Sequence, residues 1–134
     1  MSGHVTISGY VSRFHTPDAS GDIVRPQAFL GNAADVPLLW QHDLGRPIGR
    51  VTRLTEDAGG LSMEARIDPN CRDGADALAL IRSGAVDGLS FGFRAKKARA
   101  LPGGGRELLA IDLLECSVVT LPMHRQARIL TLAP

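Results

Sequence analysis

Residues 60–67, with the sequence GLSMEARI, carry the clearest structural signal in this chain. Four apolar side chains occupy every second position of the segment: Leu61, Met63, Ala65 and Ile67. Polar side chains fill the positions between them. An alternation with a period of two places one face of a β-strand in a hydrophobic core and the other in water. The segment therefore predicts a strand with one buried face.

The same alternation predicts further strands on both sides of this segment. They are Val5–Val11, Val36–Gln41, Ile48–Leu54, Leu89–Lys96, Glu107–Val119 and Ala127–Leu132. Turn-forming residues predict hairpins at Glu56–Gly60 and at Pro102–Gly105. Many short strands joined in this way are typical of a β-barrel or a strongly curved sheet.

One helix is predicted between Asp73 and Gly84. Asp73 is expected to cap its start, and Leu78 and Ile81 share one of its faces. Gly84 is expected to end it in the left-handed conformation. A second, shorter helical turn is expected through Gln27–Leu30. The predicted fold class is therefore mainly β with flanking helices (α+β), built on a small closed or partly open β-barrel of about six to eight strands.

The length and composition predict one globular domain that spans residues 1–134. Hydrophobic residues make up 44% of the chain and charged residues 22%, which excludes general disorder. The formal net charge is only +1, so no nucleic-acid partner is indicated. No apolar run approaches the roughly 20 residues that span a bilayer, and the N-terminus lacks a signal-peptide pattern. We therefore expect no membrane partner, and a location in the cytoplasm or inside a particle made there.

A serine between two glycines marks the first candidate for chemistry. In GLSFGF, residues 88–93, Leu89, Phe91 and Phe93 are expected to face the core, and Ser90 and Gly92 the opposite side. Because Gly92 has no side chain, it predicts open space above the strand, suited to a substrate groove. Serine is a poor nucleophile without a neighbouring base. From the strand alone, a small residue on the solvent face is the commoner interpretation.

His42 is the histidine best placed to act as that base. It lies in PLLWQHD, residues 37–43, where Leu38, Trp40 and His42 share a strand face if the alternation persists. The indole of Trp40 would then line the substrate groove into which the His42 side chain projects. Histidine takes up and returns a proton near neutral pH. The alternative is a half-buried histidine bonded to a backbone carbonyl.

Glu115 is the carboxylate best suited to orient a histidine. It interrupts the apolar stretch LLAIDLLECSVVTLP, residues 108–122, where an ionised group requires a partner. His42 would serve as that partner, in the manner of a catalytic triad. A structural salt bridge to Arg94 or Arg50 is the competing interpretation.

A metal-dependent hydrolase is a weaker alternative. Its ligands would be His15, Asp18, Asp22 and His42. The segment DASGD, residues 18–22, offers oxygen ligands at close spacing but lacks the glycine placement and terminal glutamate of a calcium loop. The two cysteines, Cys71 and Cys116, form no metal-binding or redox pattern. We therefore expect neither a metal nor another cofactor.

A series of short motifs, in order and at characteristic spacing, resembles a known family. The motifs are SGYVSRF, GDIVRPQAF, PLLWQHD followed by PIGRV, GGLSMEARI, the helix before GLSFGF, LLECSVVTLP and MHRQARI. Together they cover nearly the whole chain. The chain resembles the prohead maturation proteases of HK97-type tailed bacteriophages, serine peptidases similar in fold to herpesvirus assemblin.

The resemblance implies roles for individual residues. Ser90 would be the nucleophile, His42 the general base and Glu115 the third member, a position where assemblin-like proteases have a second histidine. His124 is an alternative for this third role. The loop that contains His124 and Arg125 would supply the oxyanion hole, which stabilises the charge of the tetrahedral intermediate. A solvated loop arginine is the alternative interpretation of Arg125.

The resemblance also implies a biological setting. The protein would act in the host bacterial cytoplasm, inside the immature prohead, and cut the scaffolding segment of the major capsid protein and often itself. Assemblin-like relatives further imply a homodimer. An alternative from a different class is a capsid-assembly or scaffold-binding module that keeps the fold without the activity.

Overall fold

The computed structural model describes residues 3–134 and consists mostly of β-strands, which account for 55% of the chain. The elements in chain order are β1 Val5–Arg13, β2 Asp22–Val24, β3 Pro37–Trp40, β4 Asp43–Asp57, β5 Gly60–Ile67, α1 Arg72–Arg82, β6 Gly88–Ala100, β7 Arg106–Val119 and β8 Ile129–Ala133. All seven predicted strands are present, and both predicted hairpin turns connect neighbouring strands. The three-residue strand β2 was not predicted, because it is too short to show alternation.

The eight strands form one mixed sheet. Its order is β2-β7-β3-β4-β5-β1-β8, and β6 pairs with β7 outside this path. Strand β7 runs antiparallel to β6 and parallel to both β2 and β3. It therefore has neighbours along both of its edges, which places it inside the sheet and makes it a rigid support for side chains.

The segment GLSMEARI forms β5, as predicted. Its four alternating apolar residues are at most 2% exposed, and they belong to the main hydrophobic core. Strands β4 and β1 flank β5 in antiparallel pairing. The alternation in this one strand therefore defines which face of the central sheet is buried.

The sheet is not closed, so the predicted β-barrel is not confirmed. Between the beginning of β6 and the segment before β8, a single isolated bridge joins Gly88 and Arg128. Backbone hydrogen bonds flank this bridge on both sides, but residues 120–127 run as turns and bends rather than as a strand. The two regions therefore approach each other without forming a continuous ladder.

One helix is present among residues 3–134, and the predicted second, shorter helical turn is not. At Gln27–Leu30 the chain makes successive turns, because Gln27 has a φ of 73° and leaves the helical region. The predicted cap of α1 is also wrong. Cys71 is the N-cap, and its Sγ accepts a hydrogen bond from the backbone N–H of Gly74 at 3.2 Å. Gly84 follows the helix with a φ of 81°, as predicted.

The helix described within residues 3–134 is not long and apolar enough to cross a membrane.

The thiol cap of α1 leads to a stability prediction. Cys71→Ala removes the acceptor for the Gly74 N–H and should lower the free energy of unfolding by about 0.5–2 kcal/mol. Cys71→Ser keeps an acceptor and supplies a better N-cap, so it should be at least as stable as the wild type. Urea unfolding of the three proteins measures both effects. Equal stability of the alanine variant and the wild type would show that the cap contributes nothing.

Candidate active site

Glu115 and Ser117 lie on the same face of β7, two residues apart. Both are buried, with 7% and 0% of their surface exposed. The Ser117 hydroxyl donates a hydrogen bond to Glu115 Oε1 at 2.8 Å. One oxygen of the buried carboxylate is therefore satisfied within its own strand, and the other is left for a partner from elsewhere.

His42 lies in the two-residue turn between β3 and β4. Gln41 and His42 have φ values of 54° and 61°, and positive φ at both central residues is the requirement of a type I′ hairpin turn. The strand alternation therefore ends at Trp40. The prediction that Leu38, Trp40 and His42 share a strand face is wrong, because the chain reverses at His42.

Hydrogen bonds from Gln41 hold this turn against the end of β7. The Gln41 N–H donates to the carbonyl of Val118 at 2.9 Å. Its side-chain amide donates to Thr120 Oγ1 at 2.6 Å and accepts from the Thr120 N–H at 3.1 Å. The His42 N–H in turn donates to Ser117 Oγ at 3.1 Å. These contacts fix the position of the His42 backbone, from which the imidazole extends.

The His42 ring reaches back to the buried carboxylate. Its Nδ1 lies 2.6 Å from Glu115 Oε2. The hydrogen bond to Glu115 raises the pKa of His42, partial burial of the ring opposes this, and the charge of the carboxylate adds to the increase. Because a carboxylate accepts and Nδ1 donates, the neutral ring has its free lone pair on Nε2.

Ser90 lies on β6 directly opposite Ser117 of β7, and Gly92 lies opposite Glu115. Ser90 is only 5% exposed, and its hydroxyl makes no hydrogen bond within the described residues. It lines a cavity of about 110 Å³ that His42 also lines. We call this space the Ser90 cavity; its other walls include Ser12, Leu89, Phe91 and Phe93. The structure thus brings Ser90 and His42 to one concave site.

Gly92 makes room for the Glu115 carboxylate, not for a substrate as predicted. A Cβ placed on Gly92 would lie 2.5 Å from Glu115 Oε2 and 3.0 Å from its Cδ. The space above Gly92 is therefore filled by the carboxylate and is not open. Neither Gly92 nor Trp40 lines the Ser90 cavity. The absence of a side chain at Gly92 lets Glu115 lie flat across β6 and reach His42.

Comparison with known sequences identifies the family of this chain. A sequence profile described as caudovirus prohead serine protease matches residues 1–133. The chain belongs to this family.

The prohead protease of Enterobacteria phage HK97 is 35% identical over 128 residues, which cover 90% of this chain and 57% of that protein. The capsid polyprotein of Pseudomonas phage PAJU2 is 35% identical over 121 residues, which cover 85% of this chain and 18% of that protein. The chain thus spans less than two thirds of either relative.

Solved structures place this member of the prohead protease family among the assemblin-like folds. The KSHV protease in complex with a hexapeptide phosphonate inhibitor has a TM-score of 0.58 and 12% identity, over 98% of this chain and 66% of that one. The varicella-zoster virus protease has the same TM-score and 11% identity, over 98% and 64%. The predicted assemblin-like fold is confirmed.

His124 and Arg125 lie in the loop that follows β7. His124 lines the Ser90 cavity, but its ring is bonded elsewhere: Nδ1 accepts from the N–H of Gln126 at 3.1 Å, and Nε2 lies 2.7 Å from Thr16 Oγ1. Burial lowers the pKa of His124. These contacts leave no ring nitrogen for His42, which speaks against His124 as the third member of a triad. The Arg125 side chain is exposed outside the cavity.

The residues of the alternative metal site have other partners in this prohead protease family member. Asp22 pairs with Arg106 through both carboxylate oxygens, and Asp18 Oδ1 accepts from the N–H groups of Ser20 and Asp22. Across residues 3–134, no group of three or more histidine, cysteine or acidic side chains is arranged to hold a metal ion.

Three contributors to the site were not identified as such from the sequence: Gln41, Ser117 and Thr120. Their hydrogen bonds become visible only when the turn at residues 41–42 is placed against the end of β7. The spacing of Ser117, two residues after Glu115 on a strand, was the one available signal, because it places both on the same face.

Gly92→Ala should detach the carboxylate from the histidine. The added Cβ would displace Glu115 Oε2, and the pKa of His42 should fall toward its ordinary value of about 6.5. An NMR pH titration of the His42 ring measures this. Gly3→Ala is the matched control, since a Cβ at Gly3 would meet no atom within 4 Å. An unchanged His42 titration in Gly92→Ala would contradict this account of Gly92.

Proposed function

We propose that this protein is a serine endopeptidase in which Ser90 is the nucleophile, His42 the general base and Glu115 the residue that orients the base. The observation that carries the proposal is the hydrogen bond between His42 Nδ1 and Glu115, made by a histidine that shares a cavity with Ser90. A serine needs such a base at neutral pH. Family membership and the assemblin-like fold support the same assignment.

In the proposed reaction, Ser90 Oγ attacks the carbonyl carbon of a peptide bond while His42 Nε2 accepts its proton. The resulting tetrahedral intermediate collapses as the C–N bond breaks, and the imidazolium returns the proton to the leaving amine. Water then attacks the acyl-enzyme, again with His42 as base, and releases Ser90. Glu115 stabilises the imidazolium and holds its Nδ1 proton throughout. The Ser90 hydroxyl is not hydrogen-bonded to His42 in this structure, which is consistent with an enzyme without substrate, where catalytic hydrogen bonds are often long.

The loop after β7 is the proposed source of the oxyanion hole. The backbone N–H groups of His124 and Arg125 donate to no other group in the part of the chain described here. Because His124 lines the Ser90 cavity, this loop borders the proposed reaction centre. The His124 ring is held by Thr16 and Gln126, so its proposed contribution is to fix the loop.

The proposed substrate is the scaffold segment of the major capsid protein, with self-cleavage as a second event. The relatives named prohead protease and capsid polyprotein support a substrate from the capsid. The site of action would be the immature prohead in the host bacterial cytoplasm. A single domain over residues 1–134 and a homodimer are part of the same proposal. The shared sheet supports the first, and the assemblin-like fold is compatible with the second.

Ser90→Ala should abolish cleavage of the co-expressed capsid-protein precursor without unfolding the protein, since only a hydroxyl is removed. Ser62→Ala, on the partly exposed face of β5, is the matched serine control and should cleave normally. Mass spectrometry of the capsid protein measures both. Cleavage by Ser90→Ala at the wild-type rate would refute the proposed nucleophile. A wild-type protein that neither cleaves nor reacts with a fluorophosphonate would favour the non-catalytic assembly module.

The raised pKa of His42 predicts the pH dependence of activity. The base works in its neutral form, so the rate of fluorophosphonate labelling at Ser90 should fall as pH drops through a value above about 6.5. Glu115→Gln should move this fall to lower pH, because the charge that favours the imidazolium is lost. It should also slow substrate cleavage by on the order of 10³–10⁴-fold. An identical pH profile in both proteins would show that Glu115 does not act on His42.

A further inference from the structure

A buried hydroxyl in the wall of the Ser90 cavity has no partner. Ser12 is 2% exposed, and its Oγ is the one side-chain oxygen or nitrogen in the chain from residue 3 onward that has both no solvent-accessible surface and no hydrogen bond. A buried hydroxyl left unsatisfied costs about 1–3 kcal/mol. Such a group beside a candidate nucleophile is therefore expected to have a partner when the site is occupied.

The position of Ser12 is created by an irregularity in β1. The register of β1 against β5 shifts between Tyr10 and Ser12, which leaves Val11 as an extra residue. The alternation of β1 breaks at this point, and Val11 and Ser12 are both buried. A bulge of this kind redirects a side chain that regular pairing would place on the other face. Without it, Ser12 would follow the partly exposed positions of β1.

The remaining polar groups around the Ser90 cavity already have partners. Both oxygens of Asp22 bind Arg106, and Asp18 Oδ1 accepts from the Ser20 hydroxyl as well as from backbone N–H groups. The His124 ring is bonded on both nitrogens. Apart from Ser90 and His42, Ser12 is thus the uncharged polar residue of this cavity whose side chain is left to bind a ligand.

The rest of the cavity is largely apolar. Six hydrophobic side chains line it: Val11, Val24, Leu89, Phe91, Phe93 and Met123. Its volume of about 110 Å³ is smaller than the roughly 150 Å³ of a cavity that accepts benzene. The space therefore suits a side chain of about four or five non-hydrogen atoms. The charged residues of the lining are already engaged: Asp22 is paired with Arg106, and Asp18 Oδ1 accepts three hydrogen bonds. Arg13 donates to the carbonyl of Gln126 and lies over the ring of Tyr10.

We propose that the Ser90 cavity binds the side chain of the substrate residue whose carbonyl is attacked, and that Ser12 selects an uncharged side chain with a hydrogen-bonding end, such as asparagine. This rests on the proposed function of Ser90 and adds the specificity of the same site. An apolar side chain of equal shape would leave Ser12 unsatisfied in the complex. A site built around such a hydrogen bond discriminates against the analogue that lacks it.

Two peptide diphenyl phosphonates test the inference. They are identical except that the side chain nearest phosphorus is that of asparagine in one and of leucine in the other, which have nearly the same shape. Ser90 Oγ would attack phosphorus, a P–O bond would break, and phenoxide would leave with the proton passed through His42. The measurement is the second-order rate of Ser90 modification, followed by mass.

The wild type should react about tenfold faster with the asparagine probe than with the leucine probe, as one matched hydrogen bond predicts. Ser12→Ala should reduce this ratio to about one, mainly by slowing the asparagine probe. Ser8→Ala, which removes another β1 hydroxyl outside the cavity, should keep the wild-type ratio. The melting temperature of Ser12→Ala should not fall, because the hydroxyl has no partner to lose.

An unchanged ratio in Ser12→Ala would overturn the inference, as would a wild type that prefers the leucine probe. If a fluorophosphonate modifies Ser90 but neither peptide phosphonate does, the cavity does not receive this side chain and the inference also fails. If the fluorophosphonate itself does not modify Ser90, the proposed function fails instead. A lower melting temperature for Ser12→Ala would show that the hydroxyl already has a structural partner, which contradicts the premise.

Discussion

The site depends on one buried negative charge, that of Glu115. A carboxylate that is only 7% exposed requires partners, since burial of an unpaired charge is strongly unfavourable. Ser117 satisfies one oxygen and His42 the other. The first partner comes from the same strand, but the second must come from a different part of the chain. The turn between β3 and β4 meets this need, because it carries His42 to the carboxylate.

The pairing of β6 with β7 then determines what faces the charge. In this antiparallel ladder, Ser90 lies opposite Ser117 and Gly92 opposite Glu115. A slip of one residue would turn Ser90 to the other face and put a phenylalanine against the carboxylate. Gly92 is therefore as important to the site as the residues with functional groups, because any side chain there would occupy the place of Glu115.

Three local irregularities of the backbone contribute to the same site. Gln41 and His42 have left-handed backbone conformations, the register of β6 shifts just after Gly92, and β1 bulges just before Ser12. Bulges and unusual backbone conformations are enriched at functional sites, where they aim individual side chains. Regular strands supply the rigid frame, and these local departures from regularity shape the site within it.

The sequence by itself determined seven of the eight strands, the helix and the family, because each has a local signature: alternation for β5, a glycine that ends α1, and short motifs in a characteristic order. It also predicted the partnership of Glu115 with His42, since a charge among apolar residues must be paired. Tertiary structure alone decided the rest. The sheet stays open, Gly92 makes room for a carboxylate, Gln41 fixes the turn, and Ser12 faces inward. Each of these depends on strand register or on contacts between distant residues, which no local pattern encodes.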